Sequence, residues 1–152
     1  MHVEQLMTRS VATCRPMDTL DTAVKLMLER DCGVLPVIGR DGHLAGIVTD
    51  RDICVAAHNE GLPLRGIHVD QAMSMKVVAA RPQDSVESVE RLMAAKRIRR
   101  LPIVDDDGQV VGVVSLDDIA RDAHTREQDV QVVATLAAIC RPKHDLGRAF
   151  SR

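Results

Sequence analysis

Aromatic side chains are nearly missing from this chain, which has no tryptophan, no tyrosine and a single phenylalanine, Phe150. Surfaces that hold single-stranded nucleic acid stack bases on aromatic rings, so that class of function has no material here. A dominant charge of one sign is missing as well. Lys and Arg total 20 against 22 Asp and Glu, for a net charge of -2, which gives no electrostatic pull toward nucleic acid or an anionic membrane. No apolar run approaches the roughly 18 residues that cross a bilayer. The opening MHVEQLMTRS has neither the basic n-region nor the apolar h-region of a secretory signal. Together these absences predict a cytoplasmic protein with no nucleic-acid or membrane partner.

Cysteine is sparse and unpaired in pattern. Cys14, Cys32, Cys54 and Cys140 form no CxxC and have no closely spaced histidine. Their uneven spacing in a chain with no export signal argues against a disulfide framework. They read as free thiols, with a redox or metal-sensing role for Cys14, Cys32 or Cys140 as the alternative. The six histidines are scattered, and the His58/His124 echo reads as a cation at helix ends. Asp105-Asp106-Asp107-Gly108 opens like a calcium loop but lacks further ligands at alternating positions, so it reads as a turn. No nucleophile–base pair and no Walker-type phosphate loop is present. The expectation is no catalytic residue, no metal site and no required cofactor.

What is there is a sentence written twice. LPVIGRDGHLAGIVTDRDI, residues 35–53, returns as LPIVDDDGQVVGVVSLDDI, residues 101–119, and the register holds without a gap from His2–His58 onto His68–His124. Repeats are read before anything else, because missing one mistakes the whole fold. A unit of this size buries too little surface to be comfortable alone, so the copies are expected to share a core.

Each unit opens with a polar segment and a short stretch of strand character, Ser10–Thr13 or Lys76–Ala79. Arg15-Pro16 and Arg81-Pro82 follow, and proline disfavours helix in the residue before it. Asp18 with Asp21, and Asp84 with Glu87, then read as helix starts. Leu20, Ala23, Val24 and Met27 fall at helical spacing, as do Val86, Val89 and Met93. Val34–Ile38 and Leu44–Thr49 are strand-like runs around Asp41-Gly42, a strong hairpin turn, and Asp107-Gly108 repeats it. A second helix is predicted over 50–58 and over 116–124. The unit is therefore β-α-β-β-α, written twice. Beyond it, Thr125 and Gln128 read as a capping box for a third kind of helix, with Val130, Val133, Leu136, Ala137 and Cys140 as its apolar positions and Pro142 just past its end. The closing HDLGRAFSR reads as frayed.

With its paired LPV/I…DG…G-[IV]-V-[TS]-x-x-D motifs, residues 1 to about 124 resemble a tandem pair of CBS (cystathionine-β-synthase type) domains, most like the small stand-alone two-CBS proteins of bacteria. That resemblance implies an α+β fold in which two β-α-β-β-α CBS repeats form a pseudo-two-fold CBS pair, followed by a C-terminal helix. On this reading residues 1–60 are the first motif, 61–67 the linker, 68–124 the second motif and 125–152 the C-terminal helix and tail. It also implies a sensor of adenosyl nucleotides (AMP, ADP, ATP or S-adenosylmethionine) rather than an enzyme, a homodimer, and a downstream protein that the sequence does not name. A purely structural protein with degenerate clefts is the alternative.

The chemistry suits the spacing. Thr49 and Asp52 lie three apart where a strand runs into a helix. An ionised Asp is acceptor-only and can take both ribose hydroxyls, while the threonine hydroxyl and helix N–H groups can face a phosphate. Ser115 and Asp118 repeat the arrangement. The other reading is that Asp52 and Asp118 simply lead their helices, where the dipole favours acids. The resemblance further implies two clefts that each mix the halves. Site one would combine Thr49 and Asp52 with Val77, Val78, Ala79, Arg99, Arg100 and Pro102. Site two would combine Ser115 and Asp118 with Val11, Ala12, Thr13, Gly33, Val34 and Pro36. Site one then carries two arginines for a phosphate. Site two, without them, is expected to prefer a less anionic adenosyl ligand or to stay empty.

Overall fold

A computed structural model describes residues 1–142; HDLGRAFSR and Phe150 lie outside the described residues. Each copy is built on one antiparallel hairpin. β1 (Val34–Ile38) pairs with β2 (Leu44–Thr49), and β3 (Arg100–Val104) with β4 (Val110–Ser115). The register is the same in both, Val34 opposite Thr49 and Arg100 opposite Ser115. The turns close through Gly42 and Gly108 at φ 83° and 77°, backbone that glycine adopts without steric cost. α1 (Leu20–Glu29) and α3 (Val86–Lys96) precede the hairpins, and α2 (Asp50–Glu60) and α4 (Leu116–Arg121) follow them.

The first helices start one residue later than the sequence suggested. Thr19 and Ser85 are the caps, accepting the N–H of Thr22 at 3.3 Å and of Ser88 at 3.1 Å. Asp18 and Asp84 instead accept the N–H of Arg15 and Arg81, both at 2.8 Å. The Arg-Pro turn leaves an N–H in need of an acceptor, and the aspartate three residues on supplies it.

The predicted opening strands shrink to one residue each. Cys14 bridges β1 in parallel, donating to the Pro36 carbonyl and accepting from Ile38, while Ala80 does the same between Pro102 and Val104. They are short because the segment before them belongs to the other copy. Thr8 exchanges two backbone hydrogen bonds with Val113 of β4, at 2.9 and 3.0 Å, and Ser74 does so with Ile47 of β2. Gly46 and Gly112 make room for this approach. A Cβ on Gly46 would sit 3.0 Å from the Ser74 carbonyl oxygen, and one on Gly112 would sit 2.5 Å from Met7 Sδ.

The expectation of one shared core is therefore corrected. The described residues form two apolar clusters, and each is finished by the opening segment of the other copy. Val3 and Met7 bury against Met93, Leu101, Ile103 and Val114. Ile67 and Val69 bury against Leu20, Leu35, Val37 and Val48. Two histidines fasten the exchange: His2 Nδ1 donates to the Gln83 carbonyl at 2.7 Å and His68 Nδ1 to that of Met17 at 2.9 Å.

α5 (Arg126–Cys140) starts at the expected box, with Thr125 Oγ1 accepting from Gln128 N at 3.2 Å and Gln128 Oε1 accepting from Thr125 N at 3.0 Å. It packs on α3 and α4. The buried stripe is Val132, Thr135, Leu136 and Ile139. Val133 is 64% exposed, and Ala137 and Cys140 are exposed too, so of the expected stripe only Leu136 faces inward. Among the described residues α1 and α2 have no such cover, and Leu28 and Val55 stand 77% and 50% exposed.

Candidate ligand-binding clefts

Both strand-to-helix junctions carry the same locked geometry. Thr49 caps α2, its Oγ1 accepting from Asp52 N at 3.1 Å, while Asp52 Oδ2 accepts from Thr49 N at 2.9 Å and from Thr49 Oγ1 at 2.8 Å. Ser115 caps α4 in the same way, and Asp118 Oδ2 accepts from Ser115 N at 2.8 Å and Oγ at 2.6 Å. These are reciprocal capping boxes with aspartate in the acidic place. The helix-leading reading of Asp52 and Asp118 thus describes what one carboxylate oxygen does. The other differs between copies: Asp118 Oδ1 is paired with Arg121, whose counterpart in the first copy is Val55.

A cavity of about 270 Å³ opens beside the second junction. Its wall combines Ser115 and Asp118 with Val11, Ala12 and Val34, as the sequence groups them, and adds Arg30, Arg100 and Arg121 together with Asp31 and Asp117. It forms where the chain passes from its bridge on β4 at Thr8 to its bridge on β1 at Cys14, so the exchange of opening segments is what mixes the halves. Thr13 is exposed, Pro36 is buried within β1, and Gly33 accepts the N–H of Asp50 through its carbonyl at 3.1 Å; none of the three reaches this wall.

Arg100, which the sequence groups with Thr49, opens β3 directly opposite Ser115 and lines the second cavity. The second cleft, expected to lack arginines, has three. Arg30 and Arg121 were missed because neither lies in the motif; their only signal is helical spacing, which brings Arg121 one turn past Asp118. In the first junction Val77, Val78 and Ala79 are half-buried, Pro102 is buried and Arg99 is exposed. The Arg99 carbonyl accepts from Leu116 N at 2.9 Å, which ties that residue's backbone to its own copy.

The thiols do not gather. Cys14 is 2% exposed, and burial, reinforced by Asp18, pushes its pKa up to about 12, so at neutral pH it is a protonated core group. Among the described residues, no three His, Cys, Asp or Glu side chains cluster as a metal site requires.

Two repeats that complete each other's cores, each with a Ser/Thr-x-x-Asp box at its strand-to-helix junction, define a paired-repeat module. Residues 3–59 and 69–124 match the CBS domain family. The chain belongs to that family, whose members are generally regulatory rather than catalytic. It is 40% identical over 118 residues to the CBS domain-containing protein YhcV of Bacillus subtilis, covering 78% of this chain and 82% of that one. It also matches larger enzymes. The homoserine O-acetyltransferase of Methanohalobium evestigatum is 32% identical over 120 residues, and the match spans 79% of this chain but 24% of the enzyme.

Among solved structures, hypoxic response protein I with two coordinated zinc ions is 27% identical at a TM-score of 0.73, covering 82% of this chain and 100% of its own. The CBS domain pair of protein MJ0100, in complex with 5'-methylthioadenosine and S-adenosyl-L-methionine, is 26% identical at 0.73, with 80% and 94% covered. CBSX2 in complex with AMP is 29% identical at 0.69, with 79% and 93% covered. No helix among the described residues is long and apolar enough to cross a membrane.

Proposed function

We propose that this chain is a cytoplasmic regulatory module, a homodimer, which binds an adenosyl ligand between its two CBS motifs and passes the occupancy on to a protein partner. The observation that carries the reading is the composition of the second cleft: an aliphatic floor, a Ser-x-x-Asp box and three arginines around one cavity. Val11, Ala12 and Val34 offer flat apolar contact to a purine, which answers how a chain almost without aromatic residues holds one. Asp118 offers an acceptor to the ribose. Arg100 and Arg121 offer a phosphate charge-assisted, bidentate hydrogen bonds. The neighbours that carry AMP and S-adenosyl-L-methionine support this ligand class. The exposed Leu28 and Val55 on α1 and α2 support the homodimer.

An ion pair spans one end of the second cleft. Its volume lies just under the roughly 300–1,000 Å³ of ordinary ligand pockets, and Arg121 occupies Asp118 Oδ1. A phosphate draws Arg121 away, which enlarges the cleft and frees Oδ1 for the ribose in one step. In the first cleft, Val55 stands at the position of Arg121, while Arg100 takes the place that Val34 has in the second. Thr49, Asp52, Val77, Val78 and Ala79 there suit a less anionic adenosyl ligand, the reverse of the preference read from sequence.

Calorimetry with AMP and with adenosine tests this. Arg100→Ala should weaken AMP by about 1.5–3 kcal/mol, roughly tenfold to a hundredfold, and leave adenosine nearly unchanged. Asp118→Ala should weaken both. Equal losses of both ligands in Arg100→Ala would mean that the arginine only supports the fold. A wild-type chain indifferent to AMP, ATP and S-adenosylmethionine would be a structural pair with degenerate clefts.

A further inference from the structure

A second cavity, of about 560 Å³, lies between α3, α4 and α5 and shares no lining residue with the adenosyl cleft. Glu90 of α3 forms part of its wall. The residue is 4% exposed, and its Oε1 has no hydrogen-bond partner among the described residues. Burying a carboxylate without a partner is costly, and the related position in the first copy, Val24, bears none. The cavity's charged lining is mostly acidic, with Glu87, Asp122 and Glu127 beside Glu90, against two cations, Arg91 and the α-amine of Met1 near Glu87. Leu6, Ile119 and Val132 give it an apolar wall. An unpaired buried acid, an acidic surround and a hydrocarbon surface are together complementary to one kind of molecule.

We propose that this cavity binds an organic cation, an aliphatic amine whose ammonium pairs with Glu90 while its hydrocarbon body lies on Leu6, Ile119 and Val132. Because α5 supplies Val132, Glu127 and Gln128 to the wall, an occupied cavity ties α5 more firmly to α3 and α4. The site is separate from the adenosyl clefts, and its ligand differs from theirs in sign of charge.

The test uses the full chain, with hexamethylenediamine as probe and hexanediol as its uncharged match in length. Calorimetry should detect the diamine, a thermal melt should rise with it, and the diol should do neither. Glu90→Gln keeps the shape and removes the charge, and should weaken the diamine at least about tenfold, the worth of a hydrogen bond to a charged group. Gln131→Lys, a change at an exposed wall residue, supplies an ammonium from the chain itself and should exclude the probe even if the first variant fails to fold. No binding of the diamine, equal binding of the diol, or undiminished diamine binding in either folded variant would overturn the proposal.

Discussion

Positions 24, 34 and 55 of the first copy are all valine, and their counterparts in the second are Glu90, Arg100 and Arg121. Backbone, caps and register are shared between the copies, so these three exchanges leave the fold alone. They change what the fold presents. Arg100 and Arg121 turn an aliphatic cleft into one with cations beside its acid, and Glu90 sits in the wall of a cavity that exists because α5 lies over α3. The two frames are alike, and the second carries charge at three positions where the first carries valine.

The largest effects should show how far the two frames remain equal. Leu35 and Leu101 are fully buried at equivalent places in the two clusters, and truncating a buried leucine costs about 2–5 kcal/mol. Leu35→Ala and Leu101→Ala should each fall in that range. Each should also move a single cooperative urea transition, because Val3 and Met7 reach into one cluster and Ile67 and Val69 into the other. Two separated transitions in either variant would break the idea that the exchange binds the halves into one unit.

That exchange also marks where sequence stops being legible. The hairpins are read directly, Val34–Ile38 and Leu44–Thr49, because alternation and an Asp-Gly turn are local signals. The reciprocal boxes at Thr49 and Ser115 are local too. Val3 and Met7 announce burial but not which copy buries them, and a gapless repeat hides the swap, since either assignment fits the same pattern. The reach of Arg100 into the second cavity is hidden for the same reason: its neighbours in sequence are plain, whereas its place between the copies depends on how they cross. The stripe of α5 was off by one position because several apolar phases fit Val130–Cys140, and contact with α3 selects Val132, Leu136 and Ile139.

Smaller effects should separate the two junctions. Removing a capping hydroxyl costs typically about 1 kcal/mol, so Thr49→Ala and Ser115→Ala should both destabilise measurably in denaturant melts. The second should cost more. α2 runs 11 residues and α4 only 6, and the first four N–H groups of any helix lack an internal partner, so most of α4 depends on its cap. Ser115→Ala also strips the Oγ hydrogen bond from a carboxylate already committed to Arg121. Equal losses at the two sites would mean that packing, not the box, holds α4.

The smallest effect concerns Glu90, and it has a sign. Burial first, and Glu87 second, hold its carboxyl above the ordinary glutamate range. The charged groups lining the cavity with it are Glu87 and Arg91 from α3, Asp122 beyond α4, Glu127 from α5 and the α-amine of Met1. Between the ordinary carboxylate range and the raised value, the folded chain keeps a proton that the unfolded chain has released. Stability must therefore fall as pH rises through that window and level off above it. Glu90→Gln has nothing to titrate and should lose this fall, so its stability relative to wild type should grow from acid toward neutral pH in urea melts. The cavity beside Glu90 limits the penalty, which is why this prediction ranks last. Val24→Glu supplies the comparison from the first copy. No counterpart of α5 covers α1 among the described residues, so its new carboxyl should show a weaker pH dependence than Glu90. A wild-type-to-Gln difference that stays constant across pH would mean that burial under α5 leaves Glu90 titrating as it does in the unfolded chain.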